Sequence, residues 1–152
     1  MGLDQWFNII EHPEYGWTDR VLYYIDFELY FRKHNALHNW IHRHNNTNPC
    51  DPEFVDAIDI SKNQMLKLNE LLQTIAGMYK DYLAGKRSLK NVEDYCRKNY
   101  PPSNGFFHGG TKYDEWYYRN ILEEATKIYK LVVLIPDTVP EDMKVFRYKT
   151  SW

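Results

Sequence analysis

The clearest helical pattern in this chain lies at residues 61–83, SKNQMLKLNELLQTIAGMYKDYL. Ser61 followed three residues later by Gln64 is the capping-box pattern that begins a helix. Apolar residues then recur every three or four positions, as on a helix that packs in a bundle: they are Met65, Leu68, Leu72, Ile75, Tyr79 and Tyr82. Gly85 follows as a C-terminal stop. The segment predicts a long bundle helix.

Two more long helices are predicted, one on either side of this segment. The first covers residues 19–44, begins after Thr18 as its N-cap, and has its apolar stripe at Leu22, Ile25, Leu29, Ala36, Leu37 and Trp40. The second begins at Thr111, which precedes Asp114 by three residues, and ends before Pro136. Its stripe repeats at the heptad-like spacing of a coiled coil, at Tyr118, Ile121, Ala125, Ile128 and Val132.

Shorter elements complete the predicted fold. Residues 3–10 and a segment capped by Ser88 are expected to form short helices, and the alternating tail at 145–152 a strand or an extended docking segment. We therefore expect an all-α fold in which residues 1–152 form a single helical domain, a bundle of three long and one or two short helices with an extended C-terminal tail. Two coiled-coil-like seams favour a homo-oligomer, with a tetramer as one candidate, although a monomeric bundle has the same stripes.

The composition limits the classes of function. With 152 residues, 43% of them hydrophobic, the chain can bury a core without disulfides or metal, and Cys50 and Cys96 are expected to be reduced. A net charge of −2 with interspersed signs lacks the positive field of a DNA-binding domain, so no DNA partner is expected. No apolar run is long enough for a membrane span and the N-terminus lacks the regions of a signal peptide, so we expect no membrane association and a cytoplasmic location.

A polar stripe within residues 32–42 is the first candidate binding surface. On a helix, five polar residues fall on one side: Arg32, Asn35, His38, Asn39 and His42. Asn side chains hydrogen bond to adenine edges, and Arg binds guanine or clamps phosphate. The alternative is a solvated helix face. Lys33 lies on the apolar stripe instead, where it either pairs with Asp26 or points its charge into a protected pocket.

The histidines of this segment have a spacing that metal sites also use. His34, His38 and His42 are four residues apart in turn, and histidine pairs at this spacing can bind zinc. No Glu-x-x-His context accompanies them, and the cysteines lie far away in sequence. We therefore expect neither a metal nor another cofactor.

A glycine-bounded loop before the last helix is the second candidate surface. Gly105-Phe106-Phe107-His108-Gly109-Gly110-Thr111 precedes a helix N-terminus, where backbone N–H groups can meet an anion. The two phenylalanines either stack on a flat ligand or fill the core. Asp114 and Glu115, in the first helical turn, are explained by capping and the helix dipole, and as neighbours they do not face each other. An acid–base couple with His38 requires that the fold bring them together.

Three motifs together resemble a widespread family of small tailed-phage proteins. They are Arg32-Lys33-x-Asn35-x-Leu37-His38-x-Trp40, then Gly105-Phe106-Phe107-x-Gly109-x-Thr111-x-Tyr113-Asp114-Glu115-x-Tyr117-Tyr118, and finally Ser151-Trp152, in the same order. This chain departs from the family at His34, Leu37, His108 and Gly110, and the family usually has Phe and Ser at the last two positions. The family in turn resembles the viral nucleotide sponges of the anti-CBASS type, oligomeric phage proteins that sequester cyclic-dinucleotide signals without cleaving them.

The resemblance implies the expected function: a phage immune-evasion protein in the host bacterial cytoplasm that binds and sequesters a cyclic dinucleotide such as 3'3'-cGAMP, and is not an enzyme. Two alternatives stay open: a phosphoester hydrolase that uses His38 with Asp114 or Glu115, and a phage protein that docks on and inhibits a host protein. Aromatic residues, at 16% of the chain, suit stacking on bases. The expected ligand-binding residues are Arg32, Lys33, Asn35, His38, Asn39, His42, Phe106, Phe107, His108, Thr111, Tyr113 and Trp152.

Overall fold

A four-stranded antiparallel sheet distinguishes this fold from the expected helical bundle. The computed structural model describes residues 2–22, 29–51, 57–103 and 111–151. The strands are β1 (Asp4–Ile9), β2 (Tyr30–Arg32), β3 (Ile58–Ser61) and β4 (Lys144–Ser151), in the spatial order β2-β1-β4-β3. The described helices are α1 (Asn35–Arg43), α2 (Lys62–Leu83), α3 (Leu89–Asn99) and α4 (Glu115–Val132). The protein is mixed α/β, and the prediction of an all-α fold is wrong.

The segment 3–10 contains strand β1 and not the predicted short helix. Gln5 and Phe7 are fully buried, while Trp6 and Asn8 beside them are exposed. This alternation is that of a half-buried strand. The segment also has apolar residues three and four apart, which fits a helix. All six residues of β1, however, pair with β4 near the other end of the sequence, and this non-local pairing decides the conformation.

The C-terminal tail forms β4, the strand that joins the two halves of the sheet. It pairs with β1 on one side and with β3 on the other. Of the two conformations expected for residues 145–152, the strand is the one observed, and it lies inside the sheet rather than at an edge. Trp152, the last residue of that segment, lies outside the described residues.

The prediction of one long helix at residues 19–44 is also wrong. A 3-10 turn covers Asp19–Leu22, β2 and α1 follow, and residues 23–28 lie outside the described part of the chain. Phe31 in β2 is buried in the core. Lys33, just after β2, has a backbone φ of 57°, which an α-helix does not contain. Two of the three residues of β2, Tyr30 and Phe31, are aromatic, a residue type that is enriched in strands.

The three later helices form near their predicted positions because their end signals are local. Ser61 caps α2 and Ser88 caps α3, each accepting a hydrogen bond of 3.1 Å from the backbone N–H three residues on. Gly85, just after α2, has a φ of 76° and serves as the expected stop. The start of α4 differs from the prediction. Asp114 caps it, so the helix begins after Asp114 and not at Thr111.

The core lies between the inner face of the sheet and helices α2 and α4. The apolar stripes of α2 and α4 pack against each other within one chain, so those seams do not need a second copy to cover them. Aromatic side chains lie against the inner face of the sheet, and they include Phe7, Trp17, Phe31, Phe146 and Tyr148. Edge-to-face contacts such as Phe7 on Phe146, with ring centroids 6.1 Å apart, stabilise this cluster. Within the described ranges, no helix has the length and apolar character that a membrane crossing requires.

Candidate ligand-binding cleft

The predicted polar stripe lies on α1, but it faces the interior of the protein. Its four helical members are between 0% and 7% exposed: Asn35, His38, Asn39 and His42. Arg32, at the edge of the predicted stripe, is exposed at the end of β2, and its guanidinium lies 3.4 Å from the Asp4 carboxylate. Buried polar side chains require internal hydrogen bonds, and this helix uses its polar side to make them.

Asn35 and Asn39 hold the segment that leads into the glycine-bounded loop. The Asn35 amide donates to the Ser103 carbonyl (2.7 Å), and its oxygen accepts from the Ser103 N–H (3.0 Å) and hydroxyl (2.6 Å). The Asn39 amide donates to the Pro101 carbonyl (2.7 Å). The predicted helix face is therefore joined to the chain just before the predicted loop, of which residues 105–110 lie outside the described part.

His38 and His42 form a buried polar layer between α1 and β4. His38 hydrogen bonds through Nδ1 to the Tyr148 hydroxyl (2.8 Å) and through Nε2 to the Pro49 carbonyl (2.9 Å). Because a carbonyl only accepts, Nε2 of His38 carries the proton and Nδ1 accepts from the tyrosine. The Thr47 hydroxyl lies 2.9 Å from Nδ1 of His42, and the two imidazole centroids are 4.3 Å apart. Both ring nitrogens of His38 are thus engaged inside the protein.

A buried charge cluster links the start of α1 to α4. Nδ1 of His34 lies 2.6 Å from Glu124 and Nε2 lies 2.9 Å from Glu123. Tyr100 donates a short hydrogen bond to Glu124, and Lys127 pairs with Glu123 (2.9 Å). Burial lowers the pKa of His34, but the hydrogen bonds and charges of the two carboxylates outweigh burial and raise that pKa to about 9. The hydrogen bond from His34 in turn lowers the pKa of Glu123 to about 2.

The three histidines four residues apart therefore point to different partners. His34 contacts carboxylates of α4, His38 contacts β4, and His42 contacts Thr47 in the loop after α1. In the part of the chain that the structure describes, no cluster of three or more His, Cys, Asp or Glu side chains is arranged to hold a metal ion.

A cleft at the N-terminal end of α4 brings residues of two sequence motifs together. Its empty volume is about 540 Å³, part of it open to solvent. Lys33, from the first motif, lines this cleft together with Lys112 and Asp114 from the second. Trp116 also lines it and is 68% exposed, while the buried Glu124 contributes to the inner wall. The cleft lining therefore combines two lysines and two carboxylates with an accessible indole ring.

The backbone of Lys33 is strained. Its φ of 57° lies in the left-handed region, which glycine enters readily and which costs other residues about 1–2 kcal/mol. Its N–H donates to the Leu3 carbonyl (2.6 Å), and the Asn120 amide donates to its carbonyl (3.5 Å). Strain of this kind persists where the surroundings enforce it, and it clusters at functional sites. Asp26, its predicted ion-pair partner, lies outside the described residues.

The remaining predicted residues lie beside this cleft or outside the described chain. Thr111 and Tyr113 line a shallow adjoining surface, which Lys112 shares, and the Arg97 guanidinium lies 4.8 Å from the centre of the Tyr113 ring. The structure does not describe four predicted residues: Phe106, Phe107, His108 and Trp152. Lys112 and Trp116 were not among the predicted residues. A signal was present for Trp116, because it lies opposite the apolar stripe of α4, where a helix normally presents polar residues.

The chemistry of the cleft suits binding more than proton transfer. Asp114 is the cap of α4, and Glu124 accepts hydrogen bonds from His34 and Tyr100. His38, the expected partner of Asp114 in a hydrolase, does not line this cleft. The lysines can donate to an anionic group and the indole can stack on a flat one.

Comparisons with protein-family models, with curated proteins and with solved structures found no match to this chain. The fold and the cleft define a mixed α/β protein whose cleft is lined by two lysines, two carboxylates and an exposed tryptophan. The function is therefore inferred from that geometry and from the sequence motifs.

Proposed function

We propose that this is a phage immune-evasion protein that captures a cyclic-nucleotide defence signal, a cyclic dinucleotide such as 3'3'-cGAMP, in the cytoplasm of a host bacterium. The observation that supports this most is the meeting of Lys33 and Lys112 in one cleft beside the exposed ring of Trp116. A cyclic dinucleotide presents phosphates and flat bases, and these side chains offer matching cations and a stacking surface.

The strain at Lys33 supports a role for its side chain. Glycine occupies a φ near 57° without the steric penalty, so the fold alone would favour glycine at this position. A lysine there retains the penalty and lines the cleft. The proposal gives its ammonium group a function, as a donor to a ligand phosphate.

Capture without cleavage is supported by the roles that the nearby carboxylates already have. Asp114 accepts the backbone N–H of Tyr117 (3.1 Å), and Glu124 is held by His34 and Tyr100. Glu115 is exposed and lies 3.6 Å from Arg119 on the next turn of α4. A ligand in the cleft would therefore meet lysines and an aromatic ring. The nearby carboxylates already have hydrogen-bond or ion-pair partners within the protein.

Binding is tested by calorimetry with 3'3'-cGAMP and a panel of other cyclic and linear nucleotides. Lys33→Ala and Lys112→Ala are each expected to weaken binding about 10- to 100-fold, because a hydrogen bond to a charged group contributes about 1.5–3 kcal/mol. Lys86→Ala removes an exposed lysine on the turn after α2 and should bind like the wild type. If no nucleotide in the panel binds the wild-type protein, the proposal is wrong.

Mass spectrometry of the bound nucleotide separates capture from the alternatives. Intact nucleotide recovered after the protein is denatured supports capture, whereas cleaved product supports the phosphoester hydrolase. A host protein that binds with the same affinity when the nucleotide is present or absent supports the docking alternative. The proposal includes a homo-oligomer, as in the sponges that the motifs resemble, and light scattering after gel filtration measures the number of subunits.

A further inference from the structure

The face of the sheet opposite the core presents polar and aromatic side chains to solvent. Side chains alternate along the two central strands, so Trp6 and Asn8 of β1 are exposed next to the buried Phe7. Arg147 and Lys149 of β4 are exposed in the same way. This outer sheet face shares no residue with the lining of the cleft.

The middle of the outer sheet face is a row of two aromatic rings and one cation. In the register of the sheet, Trp6 lies directly opposite Tyr30 of β2 on one side and Lys149 of β4 on the other. The Trp6 and Tyr30 rings are 5.8 Å apart between centroids and inclined by 47°. Trp6 is 37% exposed, which leaves part of its ring accessible. Neighbouring strands are about 4.8 Å apart, so the Lys149 ammonium is within reach of a group stacked on the indole.

Arginines flank this row on both sides. Arg32 lies 3.4 Å from Asp4, and Arg147 lies 2.8 Å from Asp59. Exposed ion pairs of this kind contribute little to stability, so either arginine can exchange its carboxylate for a phosphate at low cost. With Lys149, the described strand residues of the outer sheet face include three cations and two carboxylates, and this charge is complementary to an anionic nucleic acid.

We infer that the outer sheet face binds single-stranded nucleic acid, with unpaired bases stacked on Trp6 and Tyr30 and phosphates bound by the three cations. An open antiparallel sheet with adjacent aromatic rings is a surface on which bases stack, and stacking tolerates any base sequence. The net charge of −2 argues against attraction of a duplex by a long-range field. Stacking and a few local cations do not require such a field, and a duplex keeps its bases out of reach.

Fluorescence anisotropy with labelled oligonucleotides of about 12 nucleotides tests this inference, since sites of this type cover about 4–16 nucleotides. Both single-stranded RNA and single-stranded DNA are used, with a duplex of the same length beside them. We expect the single strands to bind and the duplex to bind at least tenfold more weakly. With about three phosphate contacts, the logarithm of the binding constant should fall with the logarithm of salt concentration with a slope of about −2.

Variants of the outer sheet face then locate the site. Trp6→Ala is expected to weaken single-strand binding about 5- to 100-fold through lost stacking, and Lys149→Glu to weaken it and reduce the salt slope. Leu83→Ala and Lys86→Glu, at exposed positions at and after the end of α2, are the matched controls and should bind like the wild type. Circular dichroism confirms that each variant is folded.

Three results would overturn the inference. They are failure of the wild-type protein to bind either single strand, equal affinity for the duplex, and unchanged affinity of a folded Trp6→Ala variant. Lys33→Ala should retain single-strand binding, because the cleft lies apart from the outer sheet face. If the protein binds single-stranded nucleic acid but no cyclic nucleotide, this inference stands and the cleft proposal fails. If it binds a cyclic nucleotide but no single-stranded nucleic acid, the cleft proposal stands and this inference fails.

Discussion

At the scale of single residues, Lys33 combines a strained backbone with a place in the lining of the cleft. Its left-handed backbone is held by hydrogen bonds to Leu3, which lies just before β1, and to Asn120 of α4. Those two contacts use only backbone atoms of Lys33, so they survive any change of its side chain. Substitutions of Lys33 can therefore separate its contribution to stability from its proposed contribution to ligand binding.

Replacing Lys33 with glycine is expected to stabilise the protein while removing the cleft cation. Relief of the left-handed penalty stabilises the protein by about 1–2 kcal/mol. The greater freedom of glycine in the unfolded chain offsets about 0.5–1 kcal/mol of that gain. Lys33→Gly should thus raise the free energy of unfolding by roughly 0.5–1 kcal/mol in urea denaturation. Lys33→Ala removes the same charge and keeps the strain, so it should show no such gain. A Gly variant less stable than the Ala variant would contradict the assignment of strain.

At the scale of elements, the charge cluster around His34 fastens α1 to α4. The His34 imidazolium donates to Glu123 and Glu124. Tyr100, just after α3, donates to Glu124 as well. Burial raises the pKa of the Tyr100 hydroxyl well above its usual value, so the hydroxyl keeps its proton and stays a donor. The contact between these helices therefore depends on the protonation of one buried ring.

The stability of the protein is expected to fall between pH 6.5 and 9. The pKa of His34 rises from 6.5 to about 9 on folding, so its contribution is complete below pH 6.5 and is lost as the pH rises through 9. The rise in the pKa of His34 corresponds to at most about 3 kcal/mol in the free energy of unfolding. Urea denaturation at several pH values measures it, and His34→Gln should remove this part of the slope. A wild-type protein equally stable at pH 6.5 and 9 would show that the cluster does not hold the proton.

Helices α2, α3 and α4 could be predicted from the sequence, whereas β1 and β2 lie in segments that were predicted as helices. Among the described strands only β4 was expected, as one of two conformations of the tail, and the difference has a physical reason. The ends of α2 and α3 are set by Ser61 and Ser88 within three residues, and their apolar stripes repeat over several turns. Strand β1 has only six residues, whose apolar spacing also fits a helix, and its partner β4 lies at the opposite end of the sequence. Pairing across such a distance leaves no local signal.

The candidate site was predicted in part for the same reason. Lys33 was expected to enter either an ion pair or a pocket, and it lines the cleft. The Asn and His residues of α1 were placed on one side correctly, but whether that side is buried depends on Ser103 and Tyr148, which are distant in sequence. Lys112 joins Lys33 only through the tertiary fold.

At the scale of the whole molecule, β4 is the strand on which both halves of the sheet depend. Phe146 in β4 is fully buried and contacts Phe7 of β1 and Trp17 with ring centroids 6.1 and 5.4 Å away. Ile60 of β3 pairs with it on the other side. A change at this position therefore affects packing across the entire sheet.

Phe146→Ala is expected to lower the free energy of unfolding by about 3–5 kcal/mol, since it leaves a cavity among aromatic rings that are fixed by their own strands. Chemical denaturation followed by circular dichroism measures the loss. Lys149→Ala, an exposed position on the same strand, should change stability by less than about 0.5 kcal/mol. If Phe146→Ala is too unstable to purify, Phe146→Leu should show a smaller loss in the same direction, and no loss in either would contradict the described core.

The pairing of β1 with β4 also governs how the protein can be made. Among the described strands β1 is synthesised first, and its partner β4 begins only at Lys144. At about 5–20 residues per second, β1 waits roughly 7–27 s with one edge unpaired. Asp4 in β1 and Arg32 in β2 are charges of the kind that discourage an exposed strand from joining another chain. The nascent chain is therefore most prone to aggregate before its fourth strand leaves the ribosome.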